Sequence, residues 1–294
     1  MKTTMNFTTS PYDAERFSSS EDLRQFYTGF GLDGLELMPL DPGLPSQITP
    51  DMVVGVHLCC PPDWIESDPA AIEASYRRDL EFARQMQAEY VVFHASQISE
   101  VEATTYHFSH TDTQVVDACC SLVNSLMDSQ EYTFLFLLEN QWWPGLTFLR
   151  PEIAGALLDG IHYPHTGFML DTGHLMNTNQ QLSTPDEAVD YIHNVLDKNE
   201  CYLPYIHGIH LNQSLSGSYV QDYLKRPPFD RSKADADAWT CHVYEHIFQV
   251  DQHRPFVADG VRELVQRIDP AYVTYEYITH DRKELKKYLT AGVL

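Results

Sequence analysis

The chain has 294 residues, a formal net charge of −23 and 43% hydrophobic residues, enough apolar material for a large core. That length suits one barrel of alternating strands and helices spanning residues 1–294. The acidic charge disfavours non-specific contact with nucleic acid or anionic lipid, and no apolar run reaches the roughly 18–20 residues that a membrane helix needs.

The cysteines, Cys59, Cys60, Cys119, Cys120, Cys201 and Cys241, contain no Cys-x-x-Cys pair, and no signal peptide is read at Met1–Thr4. Reduced thiols, two of the adjacent pairs being core residues, and a cytoplasmic setting are the expectation.

In chain order, Asn6–Thr9 reads as a first strand. Ser20 is a plausible N-cap for a helix that Gly29 to Gly31 close. Gly34–Met38 is a second strand and Met52–Leu58 a third, nearly continuous in apolar residues, as a strand covered on both faces requires. A helix over about 69–88 carries Ile72, Tyr76, Leu80, Ala83 and Met86 on one stripe. Tyr90–His94 is the fourth strand, 113–127 a helix, Thr133–Glu139 the fifth strand and 151–158 a short helix. Gly167–Leu170 forms a sixth strand ending at Asp171, with Thr172-Gly173 turning the chain and His174 just beyond. Thr184-Pro185-Asp186-Glu187 is a capping box with proline at the first helical position. Ile206–Leu211 is the seventh strand, Phe256–Ile268 a helix, Tyr272–Glu276 the eighth strand and Asp281–Leu289 a final helix. Between them, 212–254 is an insertion after strand 7, suited to a lid over a site or to an oligomer contact. Strands mostly separated by helices predict an eight-stranded parallel (β/α)8 barrel. A doubly wound open sheet fits less well, because no Gly-rich phosphate fingerprint follows the first strand.

In such a barrel the working residues come from the C-terminal ends of the strands. Those ends carry Glu36, His57, His94, Glu139, Asp171 with His174, His210 and Glu276. Carboxylates and neutral imidazoles on one closed rim suit Zn, Mn or Co without a thiolate, and the sequence leaves the choice among them open. His207, three residues before His210, alternates to the other face.

Glu139-Asn140, Leu170-Asp171-Thr172-Gly173-His174, His210-Leu211-Asn212 and Glu276 resemble the superfamily of xylose isomerase-like TIM barrels, which includes sugar isomerases, sugar epimerases and endonuclease IV. The resemblance implies that Glu139, Asp171, His210 and Glu276 hold one metal, with Glu139 and Glu276 as catalytic residues that remove and return a proton. Asp251-Gln252-His253 is similar to a motif that endonuclease IV places after its seventh strand. In that pattern His57, His94 and Glu139 hold a first metal, Glu139, Asp171, His210 and Glu276 a second, and His174, Asp251 and His253 a third, so one to three ions are implied. Three departures weigh against the nuclease: roughly 40 residues separate His210 from Asp251, Cys59-Cys60-Pro61-Pro62 follows His57, and Gln213 follows Asn212. Nor is there a basic cluster on the rim loops beyond Lys225-Arg226 with Arg231 and Lys233.

Among the remaining residues, Glu36 suits either substrate hydroxyls or a structural hydrogen bond. Trp142-Trp143 suits either a substrate wall or packing between helices, and His174 either a ligand or a substrate contact. His242 and His246, four apart in a helical turn over 241–248, have chelating spacing. The expected function is divalent-metal-dependent isomerisation or epimerisation of a small sugar, sugar phosphate or sugar-derived substrate. The alternative is a multinuclear zinc hydrolase acting on a phosphoester. A small-molecule partner and a possible homo-oligomer complete the expectation.

Overall fold

In a computed structural model, which describes residues 1–41, 43–128, 130–231 and 235–294, eight parallel strands close on themselves in chain order. They are β1 Lys2–Thr8, β2 Gly34–Met38, β3 Val53–His57, β4 Tyr90–His94, β5 Leu135–Glu139, β6 Thr166–Asp171, β7 Ile206–His210 and β8 Tyr272–Tyr275. The helices are α1 Pro11–Ala14, α2 Ser20–Thr28, α3 Pro69–Gln85, α4 Glu100–Thr105, α5 Asp112–Met127, α6 Pro151–Gly160, α7 Thr172–Asn177, α8 Pro185–Lys198, α9 Gly217–Tyr223, α10 Ala236–Val250, α11 Val261–Ile268 and α12 Arg282–Gly292. The (β/α)8 barrel read from the sequence is therefore the fold.

Strand alternation divides the apolar residues between two cores. Val91, Phe93, Phe136, Leu138, Leu170 and Val273 point outward into the layer beneath the helices. Tyr90, Val92, Leu137 and Met169 point inward and fill the barrel with Val54. Two inward glycines make room for the largest of these: a Cβ at Gly55 would collide with the Tyr90 ring, and one at Gly208 would come 2.6 Å from Met169 Sδ. The same parity, carried two residues further along each strand, turns His94, Glu139, Asp171 and His210 inward at the C-terminal rim. Register sets them side by side, His94 against Glu139 and Asp171 against His210.

Several boundaries differ from those read in the sequence. β1 starts at Lys2 because its first residues pair with β8, Lys2 against Tyr272, a long-range contact that local pattern does not carry. Ser19, not Ser20, caps α2 by accepting from the Asp22 amide. Thr172-Gly173 is no free turn: Asp171 is the N-cap of α7, and its side chain accepts from the His174 amide. α11 begins at Val261 rather than Phe256, because Asp259 and Gly260 form a turn, with Gly260 set closely against Val189.

The segment after β7 contains α9 and α10. Its two ends are tied by an antiparallel bridge in which Gln213 and Arg254 exchange backbone hydrogen bonds of 2.7 and 3.0 Å. α10 is anchored to α4: Trp239 Nε1 donates to Glu100 Oε2 at 2.6 Å, and Tyr106 Oη lies 3.2 Å from His246 Nε2. His242 and His246 do not converge as chelators. His246 is held between Tyr106 and Tyr219, and His242 stacks on Phe229 with its Nε2 3.0 Å from Tyr223 Oη. Burial and the neighbouring His242 push the His246 imidazole down to about 4, so it stays neutral in this aromatic cluster. Arg226 and Arg231 lie over the Tyr219 and Trp239 rings, away from the rim acids, and Lys233 lies outside the described residues. No helix among the described residues is long and apolar enough to cross a membrane, and all six cysteines are free.

Candidate metal centre

At the rim, Glu139 is the shared member. Its Oε2 lies 3.1 Å from both His57 Nε2 and His94 Nε2, and its Oε1 lies 3.0 Å from His210 Nδ1 and 3.2 Å from His174 Nδ1. One carboxylate thus faces two donor groups with its two oxygens. Among the described residues, four sets of donor atoms fall within 4.8 Å of one another: His57, His94 and Glu139; His57, His210 and Glu276; Glu139, Asp171, His210 and Glu276; and Asp171, His174 and His253.

Hydrogen bonds fix which ring nitrogen is available. His57 Nδ1 lies 3.0 Å from the Leu58 carbonyl oxygen, an acceptor that requires the proton there and leaves a lone pair on Nε2, facing Glu139. His210 is set the opposite way. Its Nε2 lies 2.9 Å from Glu36 Oε1, so the proton sits on Nε2, and Nδ1 faces Glu139 Oε1 and Glu276 Oε2, each at 3.0 Å. In the neutral tautomers these hydrogen bonds select, both rings turn a lone pair to the rim, the form that ligates a cation; without metal the facing carboxylates, against burial, draw a proton onto the imidazoles instead, raising His57 and raising His210 well above the ordinary value.

Glu36 therefore does not stand among the rim groups. It is buried one layer below them, paired in register with Gly55, and its Oε2 accepts from Tyr90 Oη and Thr274 Oγ1, both at 2.8 Å. Its work is to orient His210. Replacing Glu36 by glutamine removes the charge that holds the Nε2 proton. The expected result is metal affinity about 10–100-fold weaker with the barrel still folded, measured by zinc titration and circular dichroism.

Asp171 is held from three sides. Its Oδ1 accepts from the His174 amide at 2.6 Å and its Oδ2 from Asn212 Nδ2 at 2.7 Å, while Asn140 Oδ1 accepts from the Asp171 amide at 2.9 Å. Burial pushes its carboxyl up to about 7, with the Glu276 and Glu139 carboxylates adding to the rise against the pull of His174. Glu139 moves the other way: burial opposes it, but the surrounding imidazoles, His210 foremost, hold its carboxyl well below the usual range.

Asp251 and His253 reach the rim although α9 and α10 intervene. Gln213 and Arg254 close the base of the segment, and Ser214 Oγ accepts from the Gln252 amide at 2.9 Å. His253 takes a left-handed backbone conformation, φ 44°, that few non-glycine residues adopt. Asp251 Oδ2 then lies 3.3 Å from His174 Nε2 and 2.7 Å from His253 Nε2. The three-residue set that converges here has Asp171 with the two histidines, and Asp251 sits against both rings. Burial opposes protonation of His253, but the Asp251 carboxylate raises its imidazole to about 9.

The donor set fits a divalent cation. Glu36, Glu139, Asp171, Asp251 and Glu276 are all buried, and among the described residues their ion-pair partners are histidines, with no lysine or arginine. His253 Nδ1 and Glu276 Oε2 are buried without a well-aligned hydrogen bond, lying 3.7 Å apart, with Glu276 Oε2 also 3.0 Å from His210 Nδ1. Buried carboxylates gathered on one rim, with imidazoles as their partners, are a charge that a bound metal would neutralise.

Trp142 packs on Trp143 with the rings tilted by 39°, and its centroid lies 5.2 Å from that of the His174 ring. The wall of the adjoining cavity is Trp143, not Trp142. That cavity, about 300 Å³, opens beside His57 and His94. Asn140, Asn212, Gln141 and Ser214 do positioning work that reading residues singly passes over. Glu139-Asn140 and His210-Leu211-Asn212 already carried these asparagines, so their place just after strand-end ligands was the available signal. His207 does not follow the alternation that would turn it outward: it is the extra residue at the register shift between β6 and β7, and its ring sits against the inward-facing Gly167, well below the rim.

The family model for xylose isomerase-like TIM barrels matches residues 6–286, and the chain belongs to that family. No protein of curated function matches it in sequence. Among solved structures it is similar to a probable 3-DHS dehydratase involved in petrobactin synthesis from Bacillus anthracis, at 14% identity and a TM-score of 0.55, covering 100% of this chain and 97% of the other. It is similar to a 3-keto-D-glucoside 4-epimerase from E. coli at 12% identity and a TM-score of 0.54, covering 100% and 98%. It is also similar to a protein named IolI with a bound zinc atom, at 13% identity and a TM-score of 0.57, covering 99% and 95%. At such identities the likeness is one of fold.

Proposed function

We propose that this protein is a divalent-metal-dependent isomerase or epimerase acting at a carbon next to a carbonyl in a small sugar-derived or related hydroxycarbonyl substrate. The observation that carries the reading is the convergence of Glu139, Asp171, His210 and Glu276 within 4.8 Å. These four would hold the metal, which when bound supplies a Lewis acid to polarise the substrate's carbonyl and hydroxyl oxygens. Glu139 and Glu276 carry the proton chemistry. One carboxylate accepts the proton from the substrate C–H, leaving an enediolate, and the other carboxyl donates a proton back to carbon. Glu36 and Asn212 hold His210 and Asp171 in place throughout. The fold likenesses to an epimerase and a dehydratase support proton abstraction next to a carbonyl as the reaction class.

A second reading has one observation in its favour. The two oxygens of Glu139 face separate donor groups, as a carboxylate bridging two metals would, which fits a multinuclear zinc phosphoesterase. Elemental analysis of protein purified without chelator, followed by assay in D2O, separates the two. The isomerase reading expects at least one equivalent of metal and deuterium incorporated beside the carbonyl of a hydroxyketone or ketose, with no phosphodiester cleaved. Phosphodiester cleavage that His253→Ala abolishes, without deuterium incorporation into any hydroxycarbonyl, would reverse the order.

A further inference from the structure

The cavity beside His57 and His94 bears on what the site accepts. We infer that the non-reacting part of the substrate is an uncharged, apolar body such as a ring or a branched carbon skeleton, rather than a phosphate or polyol arm. This deepens the metal-dependent reading above and rests on it. The cavity's polar end is the pair of rim histidines, and its walls include Leu40, Cys60, Trp64, Trp143, Val243 and Ile247. Among the described residues, no lysine or arginine lines it. A phosphate arm there would lose its hydration with no cation to replace it, and would meet Glu100 instead.

Ser96, Ser99, Glu100 and Trp64 on the wall already hydrogen-bond within the protein, while Tyr244, 49% exposed, adds a phenol. Ser96 Oγ donates to the Pro144 carbonyl oxygen at 2.9 Å, and Ser99 Oγ accepts from the Glu102 amide at 3.3 Å. Glu100 accepts from Trp239 Nε1 at 2.6 Å, and Trp64 Nε1 donates to the Ser96 carbonyl at 2.8 Å. A chain of sugar hydroxyls would find few partners here, and each buried unpaired hydroxyl opposes binding. Trp143 Nε1 is itself buried away from the surface without a hydrogen-bond partner, so the ring gives the wall apolar area rather than an accessible donor.

The apolar roof belongs to this chain's own insertion. Val243 and Ile247 come from α10, which the Trp239–Glu100 and Tyr106–His246 contacts clamp over the mouth. A cavity of about 300 Å³ is at the lower end of the range for small-molecule pockets, so the body is about the size of a single ring.

The experiment compares three hydroxamates that share one metal-chelating head: acetohydroxamate, benzohydroxamate and phosphoglycolohydroxamate. Each is titrated into zinc-loaded protein by calorimetry and by tryptophan fluorescence, with metal content measured in parallel. Benzohydroxamate is expected to bind about tenfold or more tighter than acetohydroxamate, and phosphoglycolohydroxamate no tighter than acetohydroxamate. Ile247→Lys should bring the benzohydroxamate advantage down to about onefold. Leu40→Lys, at a position 53% exposed and so tolerant of charge, should raise phosphoglycolohydroxamate affinity. Equal binding of the first two, or tightest binding of the phosphorylated probe to the unmodified protein, overturns the substrate class while the metal reading stands. A protein that takes up no zinc and binds none of the three overturns both.

Discussion

Glu139→Gln is expected to abolish tight metal binding, with a loss well beyond the about 100-fold that removal of an outer hydrogen-bond partner costs. The substitution keeps the volume but replaces the one carboxylate that both donor groups share. Oε2 faces His57 and His94, and Oε1 faces His210 and His174. A neutral amide presents one acceptor and one donor, so at least one group would meet an N–H where it needs a lone pair. The metal-free protein should also weaken. Among the described residues His57 and His94 pair with Glu139, whereas His210 keeps Glu36 and Glu276 and His174 keeps Asp251; breaking a buried pair costs about 3–5 kcal/mol. Zinc titration reads the first effect and urea unfolding in chelator reads the second. A glutamine variant that keeps unmodified zinc affinity would remove Glu139 from the centre and, with it, the proposed proton chemistry.

The stabilisation that metal confers should grow as pH rises from about 6 to 8.5. In the metal-free protein the His253 imidazole is raised from 6.5 to about 9, against burial, by Asp251. A group whose folded value lies above its unfolded one contributes stability that is complete below 6.5 and is lost as pH climbs through about 9. The full shift corresponds to about 3 kcal/mol by the usual conversion. Asp171 acts in the same direction, because burial raises its carboxyl from 3.8 to about 7 and the folded state gives up stability as pH rises between those values. Metal binding requires neutral imidazole and ionised carboxylate, so it releases these protons and gains with pH. Thermal unfolding with zinc and with chelator at stepped pH measures the difference. A gap that stays constant over that range would mean that neither group sits in the metal's coordination sphere.

How far these residues could be read in advance depended on the distance over which each is determined. β2 and β4 were read to the residue, because a short, mostly apolar run broken or ended by one ionisable residue is a local fact. The rim residues His94, Glu139, Asp171 and His210 were likewise legible, since alternation along a strand and a strand's end are both local. Glu36 shows where this stops. Parity turned it inward, but its depth follows from strand stagger: it pairs with Gly55, and His57 lies two residues further along the neighbouring strand. No property of Gly34–Met38 by itself reveals that offset, so a residue read at the mouth lies in the layer beneath, holding His210. Trp142 and Trp143 are another case. Adjacent and identical, they differ only in which ring faces the cavity, and the loop's path decides that.

By itself, then, the sequence determined the barrel, its strand ends and the donor types at its rim, because period-two alternation and strand termination are encoded over a few residues. Tertiary structure alone decided the rest. Closure and stagger chose which carboxylates share a centre and which one supports from below. The Gln213–Arg254 bridge brought Asp251 and His253 back to the rim across α9 and α10. The clamp of α10 on α4 laid Val243 and Ile247 over the cavity. Each of these depends on contacts between residues far apart in the chain, whose geometry exists only once the barrel has closed.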